Sequence, residues 1–141
     1  MKVKLLHPQA QMPEYATDGS IAFDIRTVEA GDVLPLSATT FSTGLAVEVP
    51  EGFGLFVFSR SGHGFKNGLR LCNGTGLIDA DYRGEIKVRI HNDGRVPFSF
   101  EPGDRIAQGL LLPISRVAFQ QVEDLTDTER GAGGFGSTGV K

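Results

Sequence analysis

The stretch Ile86-Lys87-Val88-Arg89-Ile90-His91-Asn92-Asp93-Gly94-Arg95-Val96-Pro97-Phe98-Ser99-Phe100 decides the fold class. Ile86, Val88 and Ile90 alternate with Lys87 and Arg89, the period-2 pattern of a half-buried strand, and Val96, Phe98 and Phe100 repeat it. Between them Asn92-Asp93-Gly94 favours positive φ and a tight reversal, so the two runs are predicted to pair as a hairpin. Upstream, Thr43, Leu45, Val47 and Val49 alternate with Ser42, Gly44, Ala46 and Glu48, and Pro50-Glu51-Gly52 supplies a turn. Phe53 to Phe58 is almost continuously apolar, as expected of a strand covered on both faces. Downstream, Glu101-Pro102-Gly103-Asp104 is a turn, Ile106 to Ile114 is an apolar run, and Val117 to Val122 reads as the last strand. Short strands at this spacing, with 19 glycines and 7 prolines spread between them, predict an all-β, jelly-roll-like sandwich or barrel with few helices. From Asp124 the pattern stops, and the Gly-rich C-terminal tail is expected to be flexible, giving a domain over 1–123 and a tail over 124–141.

Size and charge narrow the function. A chain of 141 residues suits one domain, and 40% hydrophobic with 22% charged residues gives a core without wholesale disorder. The net charge of -3 argues against duplex nucleic acid as a partner, although a few arginines and a divalent cation still suffice for a triphosphate. Leu5-Leu6 is too short for the core of a signal peptide and no run is long enough for a membrane span. Cys72, the single cysteine, forms no intrachain disulfide, so a cytoplasmic setting is expected.

Four polar clusters interrupt the strands. Ser59-Arg60-Ser61-Gly62 reads either as an ordinary strand end or as an Arg and a hydroxyl aimed at a phosphate, with Gly62 allowing close backbone approach. Gly76-Leu77-Ile78-Asp79-Ala80-Asp81-Tyr82-Arg83-Gly84-Glu85 is either a solvated hairpin tip or the seat of a carboxylate that deprotonates a water. Gly103-Asp104-Arg105-Ile106-Ala107-Gln108 puts a neutral amide inside an apolar run, where it needs partners from the protein or a ligand. The tail Arg130-Gly131-Ala132-Gly133-Gly134-Phe135-Gly136-Ser137-Thr138-Gly139 is by composition a linker. It also has the parts of a phosphate clamp: an Arg, two hydroxyls, permissive glycines and Phe135 free to stack on a base.

Together with Ala22-Phe23-Asp24-Ile25, these segments resemble, in order, the five motifs of the trimeric dUTPases, and the resemblance covers nearly the whole chain. It implies a jelly-roll subunit, a homotrimer with active sites shared between subunits, and Mg²⁺-assisted hydrolysis of dUTP to dUMP and pyrophosphate. That reaction limits uracil incorporation into DNA and supplies dUMP for dTMP synthesis. By the same resemblance Asp79 activates the water that attacks the α-phosphorus, while Arg60 and Ser61 contact the phosphates beside Gly62. Asp24 and Gln108 hold waters of the Mg²⁺ ion, Gln108 also lining the substrate. Asn73 and the hairpin backbone at Gly76, Leu77 and Ile78 pair with uracil, Tyr82 packs on deoxyribose and excludes a 2′-hydroxyl, and Arg130, Phe135, Gly136, Ser137 and Thr138 close over the nucleotide. An enzyme of this kind is also compatible with a regulatory protein partner.

The chain departs from the pattern at Ala22, where the family usually has Gly, and at His63, where it usually has Leu. His63 reads as a surface histidine on a short helical turn, and Cys72 as a small buried hydrophobe. Two rivals remain at this level. One is a dCTP deaminase of the same fold, which usually carries Arg-Ser-Ser and lacks the sugar-packing tyrosine. The other is a jelly-roll module that binds a nucleotide without turning it over.

Overall fold

The computed structural model describes residues 1–137 and Gly139; the contact expected from Thr138 lies outside the described residues. Strands β1 (Lys2–Leu5), β2 (Phe23–Arg26), β3 (Gly31–Val33), β4 (Ala38–Ser42), β5 (Leu45–Glu48) and β6 (Phe53–Phe58) precede helix α1 (Ser61–Asn67). Strands β7 (Leu69–Leu71), β8 (Thr75–Ile78), β9 (Lys87–Asn92), β10 (Phe98–Phe100) and β11 (Arg105–Pro113) follow it. All pairings are antiparallel: a sheet ordered β2-β11-β6-β8, a sheet ordered β4-β9-β7, and the two ribbons β1-β5 and β10-β3. The result is a jelly-roll-like all-β fold, as the strand spacing predicts.

Inward side chains of both sheets meet in one core that includes Ile25, Phe41, Leu55, Leu69, Phe100 and Ile106. Phe41 and Phe100 meet edge-on at 5.2 Å between centroids, tying β4 to β10. Each such side chain contributes about 1.5–3 kcal/mol on burial, so the alternating pattern is itself the main stabilising term.

Three expectations are corrected. The runs ending at Ile90 and starting at Val96 do not pair with each other, since β9 lies between β4 and β7 while β10 pairs with β3. The buried side chain of Asn92 explains the departure. Its Nδ2 donates to the carbonyls of Val33 and Val96, and its Oδ1 accepts from Gly94 N. The turn chemistry is therefore spent on sending the chain across to another sheet, and Pro97 has no N–H for a ladder. No strand forms over Val117–Val122, whose residues are all exposed. Finally, β6 is covered on one face only. Leu55 and Val57 are buried, whereas Phe56 and Phe58 stack on each other at 6.3 Å on a half-exposed outer face beside Leu110 and Leu112 of β11.

Candidate active site

Two groups of polar residues flank β6, one past its C-terminal end and one along the β8 hairpin. At its C-terminal end the register aligns Gln108 of β11 with Asp24 of β2 on one side and Phe58 of β6 on the other. Phe23, the neighbour of Asp24, lies across Gly109, where any side chain would collide with its ring. That contact seats β2 so that Asp24 faces away from the core.

Asp24 joins two arginines. Its Oδ1 accepts from Arg60 Nε at 3.1 Å and its Oδ2 from Arg105 Nη1 at 3.2 Å, with only 14% of its side chain exposed. The register of β11 against β2 slips between Arg105 and Ala107. A bulge of this kind re-aims the backbone. The freed Arg105 carbonyl accepts from Arg60 Nη1 at 3.3 Å and from His63 Nε2 at 2.9 Å. A carbonyl only accepts, so that nitrogen carries the proton. The His63 ring is half-buried, with its edge or face 5.5 and 5.2 Å from Phe98 and Phe100, so the helical turn is as expected but the ring is not a free surface group. Arg60 is thereby held at two points before any ligand arrives. Sequence reasoning missed both Arg105 and His63 as its supports. The motif containing Arg105 was visible, but nothing in linear spacing shows a bulged carbonyl.

Ser61 and Gly62 follow Arg60 into the first turn of α1, and both are exposed. Gln108 Nε2 donates to the Ser59 carbonyl at 3.1 Å, which fixes the amide and leaves its oxygen directed to acceptor work. Among the described residues no three acidic, His or Cys side chains gather as a direct metal site. Asp24 and the Gln108 amide oxygen nevertheless fit a Mg²⁺ ion that phosphates chelate directly, since such an ion keeps several waters and needs only oxygen acceptors around them.

The other group surrounds the β8 hairpin. Asn73, Gly76, Leu77 and Ile78 line a cavity of about 290 Å³ together with Val57 and Arg89. An adjoining cavity of about 380 Å³ is lined by Asp79, Tyr82, Glu85 and Lys87. Asp79 is exposed just beyond Ile78, its carbonyl accepts from Tyr82 N at 3.2 Å, and Tyr82 Oη donates to the Glu85 carbonyl at 3.0 Å. Cys72, expected to be buried, is exposed on the rim.

Asn73 lies near the Arg60 end of β6, but Asp79 and Arg60 do not meet within one chain. Ile78 pairs with Leu55 and Thr75 with Phe58, so Asp79 stands near the start of β6 while Arg60 lies past its end. At about 3.3 Å per residue the separation along the strand is roughly 20 Å. Among the described residues the tail makes no hydrogen bond to either group: Arg130 Nε donates to the Gly133 carbonyl at 2.8 Å, and Gly136, Ser137 and the ring of Phe135 are exposed.

The family model for dUTPase matches residues 8–139. The chain belongs to the dUTPase family. A deoxyuridine 5'-triphosphate nucleotidohydrolase of Wolinella succinogenes is 47% identical over 141 residues, covering 99% of this chain and 95% of that relative. Among solved structures, the dUTPase of Staphylococcus bacteriophage 80alpha with dUPNHPP superposes with a TM-score of 0.91 at 32% identity, covering 99% of this chain and 98% of that one. A mutant dUTPase of S. aureus phage phi11, described with a structural Mg(II) ion, gives a TM-score of 0.81 at 28% identity, covering 87% and 96%. Membership makes the two polar groups on β6 parts of a dUTPase.

Proposed function

We propose that this protein hydrolyses dUTP to dUMP and pyrophosphate by attack of water at the α-phosphorus, in sites assembled from neighbouring copies of the chain in a homotrimer. The observation that carries the reading is the split of the site along β6. The base Asp79 lies beyond the start of β6 and the preassembled Arg60–Asp24–Arg105 network beyond its end, too far apart along the strand to act on one α-phosphate. The half-exposed Phe56, Phe58, Leu110 and Leu112 face supports contact with another copy, since it lacks the second layer that such a strand requires.

Each residue then has a chemical task. Asp79, an exposed carboxylate free of protein hydrogen bonds among the described residues, accepts the proton of the attacking water. Arg60 and Ser61 take charge developing on the phosphate oxygens, and the prior fixing of Arg60 removes reorganisation at the moment of reaction. Bound Mg²⁺ would neutralise the triphosphate, with Asp24 and Gln108 holding its waters. Asn73 and the β8 backbone read uracil, which presents donors and acceptors opposite to those of cytosine, so the wrong base leaves buried groups unpaired. Tyr82, locked by its bond to Glu85, fills the space a 2′-hydroxyl would need. Arg130, Phe135, Gly136, Ser137 and Thr138 close as a lid over a copy's nucleotide. Such an enzyme in the cytoplasm limits uracil in DNA and feeds dUMP to dTMP synthesis.

The test is pyrophosphate release from dUTP, dCTP, dTTP and UTP with Mg²⁺ present or chelated, alongside Asp79→Asn. The variant should bind dUMP normally and lose about 10²–10⁴-fold in kcat. Turnover within a few-fold of the parent would remove Asp79 from the role of base, and ammonia release from dCTP would favour a deaminase.

A further inference from the structure

The chain contains three asparagines, and two of them, Asn67 and Asn73, precede glycine. In an Asn-Gly pair the following backbone nitrogen reaches the side-chain carbonyl carbon without obstruction by a Cβ, the usual route to spontaneous deamidation. The three sites differ sharply in how the fold restrains this attack.

Asn92 is fully buried with both side-chain atoms bonded, and the residue after it is Asp93. Asn67 ends α1, and the Gly68 N–H that would have to attack is turned onto the carbonyls of Gly64 and His63. Gly68 is also packed, since a Cβ on it would stand 3.0 Å from Gly94 N. Asn73 lacks both the burial of Asn92 and the packing around Gly68. It is exposed, its side chain makes no hydrogen bond among the described residues, and Gly74 sits at φ 69° with nothing within 4 Å of a Cβ. On this exposed turn Gly74 N has one acceptor, the Leu71 carbonyl at 3.2 Å, where Gly68 N has two, and Thr75 N donates to the Asn73 carbonyl at 2.7 Å.

We propose that Asn73 is a deamidation site within the base-recognition cavity, open in the free protein and shielded by bound nucleotide. Gly74 N, losing its proton, bonds to Asn73 Cγ; the amide C–N bond breaks and leaves as ammonia, closing a succinimide. Water opens the ring at either carbonyl, giving aspartate or isoaspartate at position 73 with a mass gain of about one dalton. A neutral amide that both donates and accepts becomes an anion that only accepts. The isoaspartate product also adds a backbone carbon between β7 and β8. A ligand-reading amide must stay unbonded by its own protein, which is the condition that leaves it reactive. The consequence for activity rests on the proposed role of Asn73.

The experiment incubates the full-length protein in mildly alkaline ¹⁸O-water, with and without saturating dUMP, and maps the label by tandem mass spectrometry. Label should accumulate at position 73 at least about tenfold faster than at 67 or 92, while the urea-unfolded chain labels 67 and 73 alike. The Gly74→Asn variant, whose residue tolerates positive φ, should slow the reaction. Equal labelling of 67 and 73 in the native protein, or no label at 73, overturns the proposal. Selective labelling that dUMP does not slow overturns the shielding and the assignment of Asn73 to uracil, while the modification site stands. With both holding, affinity for dUMP should fall at least about tenfold in the labelled fraction.

Discussion

Replacing Asp24 by Asn tests whether the Arg60–Asp24–Arg105 network is a real preassembled element. The amide keeps one acceptor oxygen for one arginine but turns an NH₂ toward the other, so one charged hydrogen bond is lost and a donor faces a donor. Charged hydrogen bonds contribute about 1.5–3 kcal/mol, and breaking a fully buried pair costs about 3–5 kcal/mol. Here the Asp24 side chain is 14% exposed but the arginines are 24% and 43% exposed, so solvent screens part of this. The expected loss is about 2–3 kcal/mol. Lys2→Met is the control, because Lys2 and Glu48 form an ion pair of 2.7 Å with side chains 81% and 44% exposed. Such exposed pairs contribute at most about 1 kcal/mol. The assay is the urea midpoint at fixed protein concentration, read only where the slope stays constant. Catalysis gives the second readout: kcat/KM should fall with Asp24→Asn as Arg60 loses its anchor, and stay level with Lys2→Met. Equal midpoint shifts in the two variants, with activity retained in both, would refute the network as the element that orients Arg60.

Further outcomes are expected. Tyr82→Ala should raise the activity on UTP relative to dUTP, measured as a ratio of kcat/KM values; an unchanged ratio removes Tyr82 from sugar selection. The Glu29 carboxyl is held below the ordinary carboxylate range chiefly by the Ser42 backbone N–H, which is bonded at 2.9 Å. A depressed folded-state value means the stabilisation is complete above the unfolded-state value and lost as pH falls through the folded one. Thermal melts of Glu29→Gln and the parent should therefore differ at neutral pH and converge in acid. Refolding Asp79→Asn together with a chain lacking 130–141 should recover about a quarter of parental activity if base and tail act from different subunits of a trimer. A site within one chain recovers none.

Legibility in the sequence followed the range of the interaction. Period-2 alternation marked β5, β9 and β10, and an apolar run marked β11. Which strands pair was not legible at Asn92-Asp93-Gly94, where the same turn residues serve a hairpin or a crossing, and the decision rests on an amide bonded to Val33, distant in sequence. Phe53 to Phe58 is a strand as its apolar run suggests, but the subunit covers one face where the run suggests two. The family was legible through motif resemblance, since five ordered segments are improbable together by chance, and the candidate site residues follow from those motifs. The supports of Arg60 were not, because they depend on a backbone bulge at Arg105 and on a ring seated against Phe98 and Phe100.

The exposed apolar face and the split site are two consequences of one arrangement. β6 carries Leu55 and Val57 into the core and Phe56 and Phe58 outward, while its ends deliver Arg60 to one polar group and, through β8, Asp79 to the other. A substitution that polarises the outward face, such as Phe56→Glu, would leave each half-site internally intact, since neither Asp24, Arg60 and Arg105 nor Asn73, Asp79 and Tyr82 draws its hydrogen bonds from that ring. If assembly joins the halves, that variant should fold as a monomer, bind nucleotide weakly and lose turnover. The chemistry would then depend on burial of an apolar strand face as directly as on the carboxylate that takes the proton.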